Sequence, residues 1–217
     1  MFEFFKEVEV IGFDLDHTLY PTKPEINDRI QNEIARRLLI ERPDFESISV
    51  AKSHFQYMYK ELGRGSLVLK ELSIENPDKT IEESLVTADI LDLIDPNPSL
   101  VSLLYKLKEN KILFLMTSSP QRLAVIKLDK IGISPTTFNY SLYRDSLESN
   151  TSDGKPFDAI IKITGKSAEK HVYIGDRLKS DILPAKNIGM KTIAIGSDIE
   201  EADLSLNSIN DIGAYLL

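Results

Sequence analysis

The sequence predicts an α/β fold in which a Rossmann-like parallel sheet carries helices on both faces and a helical cap domain is inserted after the first strand. Short apolar segments that are typical of buried strands alternate with segments of helical periodicity. This alternation indicates β-α-β units, whose strands are parallel and whose helices cover the sheet. A long stretch without strand character follows the first apolar segment, and this stretch predicts the insertion.

The apolar segments predict four strands and four helices in the sheet domain. Proline precedes two of the helical segments and glycine follows one of them, which are signals for helix starts and stops. The polar segment 146–154 is predicted to be a loop. The predicted strands are 8–13, 111–117, 171–175 and 191–196, and the predicted helices are 100–109, 121–131, 157–163 and 182–188.

The inserted stretch is predicted to be entirely helical. We therefore divide the chain into an α/β core of residues 1–21 and 96–217 and a helical cap of residues 22–95, which we expect to pack over the active edge of the sheet. Gly63 and Gly65 predict a break between two cap helices. The predicted cap helices are 26–40, 45–62 and 79–93.

Two interpretations compete for the aromatic and basic side chains of the cap. They can select a substrate, or they can be solvated neighbours of an apolar stripe formed by Phe55, Met58 and Leu62, and the stripe is favoured because it has helical spacing. The candidate specificity residues are His54, Tyr57, Tyr59, Lys60, Arg64 and Lys70.

Composition excludes several classes of function. The chain has 217 residues and a formal net charge of −8, so a nucleic-acid polymer or an anionic membrane is not expected as a partner. The absence of cysteine excludes disulfides, thiolate metal sites and cysteine nucleophiles. No apolar run approaches the roughly 18 residues of a membrane span, and the N-terminus lacks signal-peptide features. We expect a cytoplasmic monomer or homodimer.

The segment 10–21 carries the strongest functional signal. An apolar strand stops at Asp14 and Asp16, whose side chains would point the same way if the extended chain continued. Two such carboxylates repel each other unless a cation or a proton lies between them. Asp14 can attack phosphorus, and Asp16 can protonate the leaving oxygen and then activate water. Thr18 is expected to anchor the turn or the phosphoryl group, and a helix cap or solvated turn is the alternative for an isolated pair.

Hydroxyl groups and a lysine at later positions are candidates for binding a phosphoryl group. Thr117 ends a predicted strand, and Ser118 and Ser119 follow it ahead of a helix, whose first N–H groups can face an anion. Lys155, in the segment GKPF, can neutralise the phosphoryl charge. Helix capping alone and a solvated lysine are the alternatives. The lysines that compete with Lys155 are Lys162, Lys166 and Lys170.

A second acidic segment, VYIGDRLKSD, places Asp176 directly after a strand and Asp181 five residues later. Gly175 permits a close approach of the backbone, and carboxylate oxygen is a ligand type that Mg²⁺ prefers. Open parallel sheets bind ligands beyond the carboxyl ends of their strands, so Asp14 and Asp176 are expected at one edge. We expect Asp181 to orient Lys155 or a metal-bound water, with a simple helix cap as the alternative.

Taken together, these segments resemble the haloacid dehalogenase (HAD) superfamily of phosphohydrolases. The DLDHTLYP segment and the helical segment YKELGRGSLVLKEL are similar to the pyrimidine 5′-nucleotidase-like branch, although Ser118 stands where that branch often carries Asn. The four superfamily motifs correspond here to DLDHT at 14–18, Thr117, Lys155 and GDRLKSD at 175–181.

The resemblance implies a Mg²⁺-dependent phosphatase that forms an aspartyl-phosphate and acts on a small phosphorylated metabolite, with a nucleoside monophosphate as one candidate. Phosphoglucomutase-type transfer on the same fold and a non-catalytic binding role remain as alternatives. Haloacid dehalogenation is disfavoured because the departure of halide needs no acid such as Asp16. The implied roles are nucleophile for Asp14, general acid and base for Asp16, phosphoryl ligands for Thr117 and Lys155, and Mg²⁺ ligands for Asp14, Asp176 and the Asp16 carbonyl.

Overall fold

The computed structural model describes residues 2–146 and 154–217, which form two compact units. The sheet unit comprises the described residues up to Thr22 and from Ile94 onward, and the helical unit is Lys23–Leu93. The segment 147–153, most of the predicted polar loop, lies outside the described residues. No helix in the described ranges combines the length and the apolarity that a membrane crossing requires.

In the described part of the sheet unit, six strands form one parallel sheet in the order β3-β2-β1-β4-β5-β6, which confirms the predicted fold class. The four predicted strands are the central ones. The structure adds β3 and β6, two three-residue strands at the edges. The strands are β1 (Val10–Phe13), β2 (Ile112–Met116), β3 (Tyr140–Leu142), β4 (His171–Gly175), β5 (Lys191–Ile195) and β6 (Leu204–Leu206).

The strand order fixes where a ligand site can form. The chain runs outward from β1 to β3 and then crosses back to β4, so the order reverses between β1 and β4. Phe13 pairs with Leu115 on one side and with Ile174 on the other, so the three central strands end at the same level. The residues that follow them meet at the switch point, where open α/β sheets bind ligands.

Helices join the strands and bury one face of the sheet in a well-defined cluster. Phe157 and Ile160 pack there with Phe114 and Tyr173 of the sheet. The predicted helix 121–131 has the observed bounds, and a π-helical turn, Leu178–Ile182, precedes α9. The helices of this unit are α1 (Phe2–Phe5), α6 (Pro98–Lys108), α7 (Gln121–Ile131), α8 (Lys155–Thr164), α9 (Leu183–Asn187) and α10 (Gly213–Leu216), with 3₁₀ turns at Pro135–Thr137, Arg144–Ser146, Ala168–Lys170 and Ile209–Ile212.

The helical unit has its own apolar core. Phe55 is buried in it, and Met58 and Leu62 pack against it, which confirms the predicted stripe. Gly63 ends one helix in the left-handed conformation, at φ 69°, so the predicted break is present, but a further short helix, α4, follows it. The helices are α2 (Pro24–Glu41), α3 (Ile48–Leu62), α4 (Gly65–Glu71) and α5 (Pro77–Thr87), followed by the 3₁₀ turn Leu91–Leu93.

Candidate active site

Asp14 directly follows the central strand β1. Its N–H donates to the carbonyl of Ile174 at 2.9 Å, so the backbone is still tied to β4 at this position. The chain then turns: the N–H of Leu19 donates to the carbonyl of Leu15 at 3.0 Å, and His17 adopts a left-handed conformation at φ 65°. The extended run therefore does not continue to Asp16, and the two carboxylates need not point the same way.

Three carboxylates form a compact group, which we call the acid cluster: Asp14, Asp176 and Asp181. One oxygen from each lies within 4.8 Å of the others. The cluster arises because β1 and β4 end side by side and the π-helical turn after β4 brings Asp181 back toward them. Asp16, two residues after Asp14, does not belong to it.

The backbone after β4 holds Asp181 in place. Its Oδ2 accepts hydrogen bonds from the N–H groups of Asp176, at 3.2 Å, and Arg177, at 2.9 Å. A Cβ atom at Gly175 would lie 2.5 to 2.6 Å from the side chain of Asp181, so only glycine fits there. Asp181 therefore organises the loop that carries Asp176, which the sequence analysis did not anticipate.

The acid cluster concentrates negative charge in a poorly solvated place. Burial, and then the neighbouring carboxylates of Asp181 and Asp176, raise the pKa of Asp14 well above its ordinary value. Burial likewise raises the pKa of Asp176 to about 7, against the charge of Arg177, and raises the pKa of Asp181. Without a cation, the cluster therefore tends to retain protons.

The donor set fits a hard divalent cation. Oδ1 of Asp176 is buried and accepts no hydrogen bond from residues 2–146 or 154–217, which leaves a carboxylate oxygen available as a ligand. Mg²⁺ takes one or two carboxylates together with water and phosphate oxygen, and a cation at the cluster would offset the charge that raises these pKa values. The residues present thus fit Mg²⁺ on their chemistry.

The side chain of Asp16 lies in a different network, which we call the Asp16 triangle: Asp16, Ser119 and Lys127. The ammonium group of Lys127 contacts Oδ1 of Asp16 and lies 3.0 Å from Oγ of Ser119. The hydroxyl of Ser119 donates to Oδ2 of Asp16 at 2.6 Å. Tyr20 adds a fourth contact, donating its hydroxyl to Oδ1 at 2.5 Å.

These contacts give Asp16 the opposite electrostatic character. Burial alone would raise its pKa, but the charge and hydrogen bond of Lys127, followed by the hydroxyls of Ser119 and Tyr20, lower the pKa below its usual range. Burial and the neighbouring Asp16 carboxylate raise the pKa of Tyr20, so its hydroxyl stays protonated and donates. Asp16 is consequently ionised here, whereas the acid cluster tends to hold protons.

The remaining predicted residues take different places. Thr18 is buried and donates to Oδ2 of Asp14 at 3.3 Å, so it anchors the turn. Thr117 is fully buried at the end of β2, and its hydroxyl accepts the N–H of Ser119 at 3.1 Å. Ser118 is exposed. Lys155 is also exposed, as the first residue of α8.

The sequence patterns did not indicate Lys127 or Tyr20 as site residues, and they gave no sign that Ser119 contacts Asp16. One signal was available for Lys127. Ala124, Leu128 and Ile131 form the buried face of α7, and Lys127 lies on that same face by helical spacing. A charged residue within an apolar stripe predicts a buried partner, although the partner itself lies 111 residues away in the chain.

Comparison with known proteins shows the family of this chain. Residues 8–189 match the sequence model of the haloacid dehalogenase-like hydrolases. The chain belongs to this family. A HAD phosphatase from Thermococcus onnurineus has the same fold, with a TM-score of 0.65, 19% identity, and coverage of 94% of this chain and 96% of that one.

Two curated relatives span nearly the whole hydrolase. A glyceraldehyde 3-phosphate phosphatase from Methanocaldococcus jannaschii is 29% identical and aligns with 94% of this chain and 95% of its own length. A protein of the same name from Methanopyrus kandleri is 26% identical, with 87% and 84% covered. The predicted pyrimidine 5′-nucleotidase-like branch is thus not the one to which these relatives are assigned by name.

Proposed function

We propose that this hydrolase is a Mg²⁺-dependent phosphatase of small phosphomonoesters that works through an aspartyl-phosphate on Asp14. One observation carries the proposal: two carboxylates at the end of the central strand are placed in opposite electrostatic surroundings. Asp14 shares the acid cluster with Asp176 and Asp181, while Asp16 is held apart by a cation and two hydroxyls. Separate environments for neighbouring acids indicate separate roles in catalysis.

The metal's ligands in this proposal are Asp14, Asp176 and the backbone carbonyl of Asp16, with Asp181 orienting the loop that carries Asp176. Bound there, Mg²⁺ would neutralise charge on the nucleophile and on the transferred phosphoryl group. The buried, unpartnered Oδ1 of Asp176 supports this assignment within the described residues. Thr117 and Lys155 remain the proposed ligands of the phosphoryl group, with Ser118 as a further candidate.

The chain's own residues perform two half-reactions in this proposal. In the first, a carboxylate oxygen of Asp14 forms a bond to phosphorus, the ester bond breaks, and the leaving oxygen takes a proton from Asp16. In the second, water attacks the phosphorus of the aspartyl-phosphate and gives a proton to Asp16, which releases phosphate and restores Asp14. Asp16 is therefore protonated when the ester bond breaks and ionised when water attacks. The triangle favours the ionised form, and the proton taken from water in one turnover serves the leaving oxygen of the next.

The names of the two curated relatives favour a small sugar phosphate, and glyceraldehyde 3-phosphate is the first substrate to test. A nucleoside monophosphate is the second candidate, because DLDHTLYP resembles the nucleotidase branch. Measuring phosphate release from both classes of substrate with Mg²⁺ decides between them. Isomerisation of a hexose phosphate without release of phosphate would instead support the mutase alternative.

The mechanism is tested with Asp14→Asn and a matched control, Asp198→Asn, which changes an exposed acid after β5. We expect Asp14→Asn to abolish phosphate release with Mg²⁺, since the amide is a poor nucleophile, and Asp198→Asn to leave it unchanged. Acid-quenched wild type should also carry hydroxylamine-sensitive phosphate that is missing from Asp14→Asn. Full activity of Asp14→Asn would exclude the aspartyl-phosphate.

A further inference from the structure

We propose that Lys127 is a positioning residue of the active site: with Ser119, it fixes the Asp16 carboxylate where it exchanges protons with the substrate and keeps it apart from the acid cluster. The inference rests on the proposed phosphatase function. It assigns a role in the reaction to a residue of α7, which lies outside the four sequence motifs. It is carried by the geometry of the Asp16 triangle.

The triangle is closed, because each of its three side chains contacts the other two. Lys127 contacts one oxygen of Asp16, Ser119 donates to the other oxygen at 2.6 Å, and Lys127 and Ser119 are 3.0 Å apart. With both oxygens engaged from defined directions, the rotation of the carboxylate is fixed. Asp16 itself sits in a turn, whereas Lys127 belongs to the packed helix α7.

The cost of burying Lys127 argues that the contact has a purpose beyond packing. The side chain is 3% exposed and lies on the face of α7 that otherwise buries Ala124, Leu128 and Ile131. An apolar side chain would fill this position without desolvating a charge. The ammonium group is directed at Asp16, the carboxylate to which we assign proton transfer, and not at the three carboxylates of the acid cluster.

The position of the proton donor matters in proportion to how much the leaving group needs a proton. An alkyl phosphate such as glycerol 3-phosphate must have its leaving oxygen protonated, whereas 4-nitrophenolate leaves readily as an anion. A misplaced Asp16 should therefore slow phosphoenzyme formation from the alkyl ester far more than from 4-nitrophenyl phosphate. A loss of folding or of metal would reduce both reactions by the same factor.

The test compares kcat/KM for the two esters, with saturating Mg²⁺, in wild type and in Lys127→Met, which keeps the length of the side chain and removes the charge. We expect Lys127→Met to lower the value for glycerol 3-phosphate at least about 10-fold more than the value for 4-nitrophenyl phosphate, a part of the contribution that a placed acid makes. The control is Lys130→Met, the same change at an exposed position of α7, which should leave both values unchanged.

A double-mutant cycle with Asp16→Asn identifies the residue through which Lys127 acts. We expect Lys127→Met to have no further effect on either ester once Asp16 is Asn, since the carboxylate that it positions is gone. If Lys127→Met does not fold, Ser119→Ala carries the same comparison, because it removes another side of the triangle. The loss of kcat/KM in Ser119→Ala should again be larger for glycerol 3-phosphate than for 4-nitrophenyl phosphate.

The outcomes separate this inference from the proposed function. Equal losses on both esters, or a loss that adds fully to that of Asp16→Asn, would overturn the positioning role while the phosphatase stands. A wild-type protein that hydrolyses neither these esters nor any member of the substrate panel would overturn the phosphatase proposal and this inference with it.

Discussion

The acid cluster and the Asp16 triangle are two regions built from neighbouring residues of one turn, and they differ in how their charge is compensated. The cluster gathers Asp14, Asp176 and Asp181, and the exposed Arg177 beside Asp176 does not offset their burial and mutual repulsion, so the pKa values of the cluster are raised. The triangle surrounds Asp16 with a buried ammonium group and hydroxyls, so the pKa of Asp16 is lowered. The groups that surround a carboxylate, and not its place in the motif, therefore set its pKa and its role in the reaction.

The largest effect is expected when a methyl group is added beneath the cluster. Gly175→Ala places a Cβ atom 2.5 Å from the side chain of Asp181, so we expect the loop after β4 to shift and Mg²⁺ binding to weaken by about 10-fold or more. Gly12→Ala is the matched control, because its Cβ collides with the ring of Phe114 in the neighbouring strand β2.

Both glycine variants should lose about 1–3 kcal/mol of unfolding free energy through overpacking. Calorimetric titration with Mg²⁺ and urea denaturation separate the two effects. If both variants bind Mg²⁺ like wild type, the space at Gly175 does not affect metal binding by the acid cluster, and this part of the account is wrong.

Much of the fold follows from local sequence signals, whereas the acid cluster and the Asp16 triangle do not. Helix 121–131 and strand 171–175 have the observed bounds because proline, glycine and apolar runs mark their ends. Strands β3 and β6 contain three residues each, too few for an alternating pattern to be recognised.

The motif residues of the site could be predicted from the sequence, but the residues that contact them could not. Asp14 and Asp176 follow from strand ends and Asp181 from the GDRLKSD motif, but the separation of Asp16 from Asp14 depends on a turn with a left-handed His17. The cation that completes the triangle comes from a helix 111 residues away, and periodicity describes only neighbours along the chain.

The metal-free protein should become less stable as the pH rises from 3.8 to about 7. Folding raises the pKa of Asp176, so the folded chain holds a proton that the unfolded chain has released, and the free energy of unfolding falls across this interval by about 1 kcal/mol or more. Mg²⁺ should reverse the trend, because it binds the ionised cluster more tightly as pH rises.

The measurement is thermal denaturation with EDTA or Mg²⁺ at several pH values, for wild type and Asp176→Asn. Their difference isolates the cluster from His17 and His171, whose pKa values burial lowers and whose effect on stability has the opposite sign. An identical pH slope for the two metal-free proteins would show that Asp176 is ionised without the metal.

The smallest effect is expected at the edge of the triangle. Tyr20→Phe removes one hydrogen bond to Oδ1 of Asp16 but leaves Lys127 and Ser119 in place. We expect about 1 kcal/mol less unfolding free energy, with the ratio of kcat/KM for the alkyl and aryl esters unchanged. A ratio that changes as much as in Lys127→Met would shift the positioning role to the tyrosine.

The separation of the two regions is tested most directly by measuring Mg²⁺ affinity with isothermal titration calorimetry in Asp176→Asn and Asp16→Asn. The account predicts that Asp176→Asn weakens Mg²⁺ binding by more than about 10-fold, whereas Asp16→Asn, which keeps the backbone carbonyl, retains an affinity close to that of wild type. An equal loss of Mg²⁺ binding in both variants would show that the Asp16 carboxylate is itself a metal ligand, and would contradict the division between cluster and triangle.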